Sequence, residues 1–266
     1  MANEVRVLIT AQDKASPTIK EIAGGIVAAE VAMKAFNTAV NGLTGSIKVA
    51  ADFEKTMSSV GAVSQATKEE LKGLGDEAKR IGKDTMFGAT EAAGAMEILA
   101  ANGISARDIM GGAADAAATL AAAGGTNLAQ AADTVSTSMS IWGATTQDLT
   151  EYVNRLAGAA NVSRFGVEDM SQAIAQGGGV AAASGVDFGD FAATIAATAS
   201  SFSSGSDAGT SFKTFLQRLA APSKEGAQLM KELGINAFDA TGQMRPMGEV
   251  VQQLHDSLGM MSDAQR

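Results

Sequence analysis

The apolar positions of residues 17–50 follow a 3-4 spacing without a slip. Ile19, Ile22, Ile26, Ala29, Met33, Phe36, Val40, Leu43, Ile47 and Ala50 fall on one side of a helix. Set in heptads, position a holds Ile19, Ile26, Met33, Val40 and Ile47, and position d holds Ile22, Ala29, Phe36, Leu43 and Ala50. A seam kept over more than four heptads predicts a left-handed coiled coil. The flanking Gly25, Ala32, Ala39 and Ser46 are small, which suits several helices crowding one axis. The competing reading is a long amphipathic helix packed on its own domain, because Gly24, Gly25, Gly42 and Gly45 weaken an isolated helix. Ahead of it, Glu4-Val5-Arg6-Val7-Leu8-Ile9 alternates with the period of a short strand. Ser16 and Pro17 then supply a helix start.

After residue 51 the pattern shortens. Thr67 and Glu70 spell a capping box for a helix carrying Leu71, Leu74, Ala78 and Ile81. Further helices are predicted over roughly 90–102, 105–123, 127–142, 146–160, 167–184, 188–202 and 207–221. Three of the junctions share one spelling: GISARDI at 103–109, GATTQDL at 143–149 and GVDFGDF at 185–191. Gly103, Gly143 and Gly185 stand where a helix C-terminus needs a left-handed residue, and Ile104, Ala144 or Val186 supplies the apolar contact that follows. Ser105, Thr145 and Asp187 then cap the next helix, with Asp108, Asp148 and Asp190 three residues on to return a hydrogen bond and favour the helix dipole. The motif is a helix stop followed directly by a helix start. Its period of 40 and then 42 residues makes the region a series of helical hairpins.

The fourth look-alike, GINAFDA at 234–240, reads instead as a small β-hairpin near 234–246 that turns at Asp239-Ala240-Thr241-Gly242. A helix near 247–258 follows. The closing Ser262-Asp263-Ala264-Gln265-Arg266 resembles the first turn of another helix, so this end reads as truncated. The expected fold is mainly all-α. Residues 1–16 form a strand and cap, 17–60 a heptad helix, 61–221 a hairpin core, and 222–266 a helix, β-hairpin and helix.

Composition narrows the function. A net charge of −9 without clustered Lys and Arg argues against tight nucleic-acid wrapping. Lys79-Arg80-Ile81-Gly82-Lys83 is the longest basic cluster and reads as a solvated helix end. Zero cysteines exclude disulfides and thiolate metal sites. Charged residues interrupt the N-terminal apolar runs, so neither a secretory signal nor a spanning helix is expected. Alanine dominates the apolar share, which points to thin, closely packed helices and not to an aromatic core.

Candidate chemistry is sparse. His255, the one histidine, sits beside Asp256, and neighbours on a helix do not face each other. Gly124-Gly125 and Gly177-Gly178-Gly179 lack the Lys-Ser/Thr of a phosphate loop and read as bends. The three motif aspartates lie one per hairpin, without the second carboxylate at i+2 that a calcium loop needs. No enzyme, cofactor or metal is expected.

Several stretches in order carry a resemblance: ADFEKTMSSVGAVSQAT at 51–67, FGATEAAGAMEILAANGIS at 87–105, Trp142-Gly143, NVSRFGVEDMSQAIAQ at 161–176, and LGINAFDATGQMRPMGEVVQQL at 233–254. Together they resemble the core region of phage tail tape measure proteins of the lactococcal-phage type, in its N-terminal portion, over about 51–258. The resemblance implies a non-catalytic helical strand in the lumen of a virion tail, made in the bacterial host cytoplasm. It further implies a homo-oligomer (trimer or hexamer) that sets tail length, templates tube assembly and leaves ahead of the DNA. Implied partners are further copies of the chain, tail tube protein, tail assembly chaperones, and tail-tip or baseplate hub proteins. Sequence-specific nucleic-acid binding is not implied. The alternative is a membrane-active element that inserts Ala/Gly-rich helices such as 170–202 during genome delivery. A peptidoglycan hydrolase is a third reading, for which this stretch holds no acid pair or zinc site.

Overall fold

The computed structural model describes residues 48–259, and every described regular element is helical. The chain divides into two units, Met1–Ala51 and Asp52–Arg266. Of the first, only 48–51 are described, and they are helical. The expected strand at 4–10, the cap at Ser16-Pro17 and the heptad seam from Ile19 to Ile47 lie outside the described residues.

A helix over 48–64 (α1) leads into α2 (Lys68–Asp84). The Thr67 side chain accepts the Glu70 N–H while the Glu70 carboxylate accepts the Thr67 N–H at 3.0 Å. That backbone bond, with the Thr67 hydroxyl, holds the Glu70 pKa below its ordinary value. Next come α3 (Ala89–Ala101) and α4 (Ala106–Asp108), which passes through a π turn at Ile109–Ala113 into α5 (Ala114–Gly124). α6 (Leu128–Trp142) and α7 (Leu149–Val162) follow. α8 (Val167–Ala173) passes through a second π turn at Ile174–Gly178 into α9 (Gly179–Ala183). α10 (Phe188–Thr198), α11 (Gly205–Ala220), α12 (Lys224–Glu232) and α13 (Met247–Gly259) complete the order.

Two expected single helices therefore each contain a π turn. In the first, Gly112 at φ 139° makes a kink that only glycine adopts without strain. In the second, the helix stays continuous through Gly177, Gly178 and Gly179, so that glycine run is not a bend. The expected β-hairpin shrinks to one antiparallel bridge, Phe238 with Met244, and the described residues contain no strand. The turn is closed from within: Asp239 accepts the backbone N–H groups of Thr241 and Gln243, satisfying donors that a longer ladder would take.

The hairpins stack in sequence order. α2 packs on α3, α3 on α5 and α6, α5 on α6 and α7, α7 on α10, and α11 on α8 and the second π turn. The first part of this array is built on small side chains. Ala92, Ala93, Ala95, Ala113, Ala117, Ala131 and Ala132 are buried around Met96, Leu99, Ile109 and Leu120. Small residues let helix axes approach, at the cost of less apolar area per contact.

The second part departs from the composition. Phe188 and Phe191 are fully buried and centre a chain of rings. Phe188 stacks on Tyr152 at 4.2 Å and meets Trp142 edge-on at 5.1 Å, while Phe191 meets Phe212 at 5.4 Å. Aromatics are scarce overall, but the fold collects half of them in one cluster.

Candidate functional site

The three stop–start junctions organise the surface of the array. Gly103, Gly143 and Gly185 have φ of 88°, 66° and 82°. In each, the next N–H reaches back five residues: Ile104 to the Leu99 carbonyl, Ala144 to Met139 and Val186 to Ala181, at 3.0, 3.1 and 2.9 Å. This six-to-one bond satisfies a helix-end carbonyl.

The starts differ. Ser105 accepts the Asp108 N–H and donates its hydroxyl to the Asp108 carboxylate at 2.6 Å. At the second junction the helix begins three residues later than the spelling suggests, at Leu149 with Asp148 as N-cap. Thr145 instead donates both its N–H and its hydroxyl to the Asp148 carboxylate at 2.8 Å, which lowers the Asp148 pKa. At the third junction Asp187 accepts the Gly189 N–H, and Asp190 turns away to accept the N–H of Met247, 57 residues on, at 2.9 Å.

The second and third junctions are brought together; the first stands apart. Trp142, just before the second glycine, donates its indole N–H to the Val186 carbonyl, just after the third, at 3.0 Å. Arg155 of α7 bridges Asp187 and Glu151. The Met244 N–H donates to the Ser184 carbonyl. The GVDFGD turn is thus a hub where α6, α7, α10 and the C-terminal segment meet. Gly103 has no such role: its neighbour Asn102 donates to Asp133 and Ser136 of α6.

Asp190 is the clasp that holds α13 to this hub. Asp190→Ala leaves a first-turn N–H of α13 without its acceptor, so the urea midpoint falls by the equivalent of about 1 kcal/mol. Asp190→Asn keeps an acceptor oxygen and loses less. Hydrogen exchange at the Met247 amide is the local readout, and it quickens in the alanine variant alone.

Three features are missing from the sequence reading. Gly125 (φ 62°) is a fourth stop, with Thr126 N–H donating to the Ala121 carbonyl and Asn127 capping α6. The signal was present in GGTNLAQ, where asparagine stands in for serine or aspartate. Gly234 (φ 69°) is a fifth stop that ends α12, so the fourth look-alike shares the stop and lacks the start. The third is the crossing of α11 over α8 and its π turn, made through glycines. A Cβ on Gly205 would lie 1.8 Å from the Asp169 carbonyl oxygen, one on Gly209 2.5 Å from that of Ala173, and one on Gly177 2.6 Å from that of Gly209. No local pattern announces which glycines meet a partner 32 to 36 residues away along the chain.

His255 is exposed, with Nδ1 3.4 Å from the neighbouring Asp256 carboxylate, and no group of His, Asp and Glu among the described residues is arranged to hold a metal. Arg80, within the basic cluster, is engaged by Glu77, Asp84 and Asp115, and the two closest carboxylates raise its pKa. An apolar groove of about 470 Å³ lies between α10, α11 and α13, walled by Thr198, Phe202, Phe212, Phe215, Met247 and Val251.

The described array is held by caps and glycine crossings. Comparison with known proteins gives it a place. The family model of the phage-related minor tail protein matches residues 75–266. The chain belongs to that family. This tail protein is 33% identical over 221 residues to the tape measure protein of Pneumococcus phage Dp-1, covering 83% of the chain and 19% of the relative. It is 26% identical over 243 residues to the probable tape measure protein of Escherichia phage P2, covering 90% of the chain and 29% of that relative. The chain therefore spans less than a third of the curated relatives it matches. No solved structure matches. The matched region includes all three stop–start junctions.

Proposed function

We propose that this tail protein is part of the tape measure strand that sits in the lumen of a growing phage tail, sets its length and templates tube assembly. The carrying observation is its identity to the Dp-1 tape measure protein over most of the chain. In this reading the chain works without catalysis, self-associates through Ile19, Ile22, Ile26, Met33, Phe36, Val40, Leu43 and Ile47 as a trimer or hexamer, and leaves ahead of the DNA. Its partners are tail tube protein, assembly chaperones and tail-tip or baseplate hub proteins.

Charge supports passage without holding DNA. From Asp84 to Phe212 there are thirteen acidic residues against Arg107, Arg155 and Arg164, a surface that repels phosphates. In this reading the heptad helix is the ruler. A folded hairpin array advances far less per residue than a continuous helix, which gains about 1.5 Å for each. Deleting Ile19 to Ser46 removes four whole heptads and keeps the seam in register. Tails imaged by electron microscopy shorten by about 42 Å, at about 1.5 Å per helical residue. Tails of unchanged length sink the ruler role of this segment, and loss of all tails assigns it to starting assembly.

The membrane-active alternative is weaker on packing grounds. The helices it would insert use Met170, Ala173, Ile174, Phe188, Phe191, Ala192 and Ile195 to build the core, where all seven are buried. No described helix is long and apolar enough to cross a membrane. Leakage of liposomes by the purified chain at micromolar concentration is the result that would favour it.

A further inference from the structure

Phe215 of α11 lies between two openings. One is the apolar groove toward α13, and the other, of about 760 Å³, separates α11 from α12. Ser211 lines both as well. Apolar side chains face each other across the second opening, Phe215 and Leu219 on α11 against Leu229 and Met230 on α12. Gly226, Leu229, Met230 and Leu233 give α12 the 3-4 spacing of a core-facing helix, yet none of its residues is buried. Leu229 is 45% exposed, and Val251 on the α13 side is 51% exposed. Water held between two apolar surfaces favours their closing.

The two outer helices are attached so that they move as one piece. α12 leaves α11 through Ala221-Pro222-Ser223, where Ala221 has left the helical region at φ −134° and ψ 70°. Past its other end, the Leu233 carbonyl accepts the hydroxyl of the buried Ser257 of α13, and the Asn236 N–H donates to the Gln253 side chain at 2.8 Å. α13 in turn is fixed where it begins, by Asp190 on the Met247 N–H and by burial of Met247 and Val250. Both helices are thus anchored at their starts and tied to each other near their ends. We propose that α12 and the C-terminal half of α13 form a jaw that closes on Phe215. It pivots at residues 221–223 and at Met247, and it buries Leu229 and Val251 together. Closing withdraws the apolar strip of α11 from water, and opening presents it.

The absence of cysteine makes the test direct. Leu229→Cys and Val251→Cys are introduced singly into the full chain, with Val162→Cys as an open reference, since Val162 is 84% exposed. Maleimide labelling rates are measured over a range of protein concentrations. The jaw predicts that both cysteines label about tenfold slower than the reference at every concentration, as for a closed state favoured about ten to one. Ser211→Asp places on the closing surface a carboxylate that resists burial, so both rates rise together to that of the reference. Ser211→Ala leaves both slow. Ser211 is itself exposed, so neither substitution removes a core contact, and Trp142 fluorescence verifies that the array stays folded. Rates that merely follow the three exposures overturn the jaw. So does protection of one cysteine alone, or protection that Ser211→Asp leaves in place. Protection that grows with protein concentration also overturns it and assigns the openings to a second copy.

Discussion

Gly205→Ala combined with Gly209→Ala unfolds this protein or lowers its stability by more than about 3 kcal/mol, above the usual range for overpacking. The reason is where the added methyls go. At Gly205 the new carbon falls 1.8 Å from the Asp169 carbonyl oxygen, and at Gly209 it falls 2.5 Å from the Ala173 carbonyl oxygen and 2.8 Å from the Ala173 Cα. These are backbone atoms, which have no rotamer to move to. Relief requires α11 to lift from α8, and lifting exposes Ala173, Ala208 and Phe212, which are buried at or near the crossing. The Gly205 N–H would also lose the Asp169 carboxylate, which it meets at 3.0 Å. The matched control is Gly94→Ala in α3 and Gly158→Ala in α7, where an added Cβ meets nothing within 4 Å. There the gain in helix propensity dominates, and stability rises by up to about 1 kcal/mol per site. Urea unfolding of the two double variants gives shifts of opposite sign. If both shift alike, the glycines do not work through close approach.

Phe188→Ala costs about 3–5 kcal/mol, the range for removing a large buried ring. Phe188 is 1% exposed and lies between the Tyr152 face and the Trp142 edge, so its loss removes two ring contacts as well as its own burial. Against a total stability of about 5–15 kcal/mol, that is a third or more of the margin. Phe188→Leu keeps most of the volume and costs clearly less. Trp142 is the one tryptophan in the chain, so its fluorescence reports this cluster alone. Folded Phe188→Ala protein should show a red-shifted emission that the leucine variant lacks. An unfolding midpoint within error of the parent would mean that the rings meet without contributing to stability.

Both effects concern features that the pattern along the chain does not display. Helix positions were legible because the signals are local. The Thr67–Glu70 box needs residues three apart, and the 3-4 apolar spacing of Leu128, Ala132, Val135, Met139 and Trp142 lies within one helix. Three of the five glycine stops, Gly103, Gly143 and Gly185, are legible for the same reason, since a left-handed residue between two helical runs is required by the few residues around it. At the second junction the helix starts three residues beyond the expected position because the Asp148 carboxylate takes Thr145's own donors, and the two arrangements use the same letters.

What the sequence by itself determined is the helical alphabet of this protein: where helices stop and start, that they come in serial hairpins, and that they resemble tail proteins over a long ordered stretch. Tertiary structure alone decided what those pieces meet. It set Asp190 on the Met247 N–H instead of on its own helix, gathered Trp142, Tyr152, Phe188, Phe191, Phe212 and Phe215 into one cluster, and made Gly177, Gly205 and Gly209 points of closest packing. The physical reason is range. A cap is satisfied within one turn of chain, whereas a helix crossing is chosen by whichever distant surfaces bury the most area without a clash, and that choice is made only when all of them are present at once.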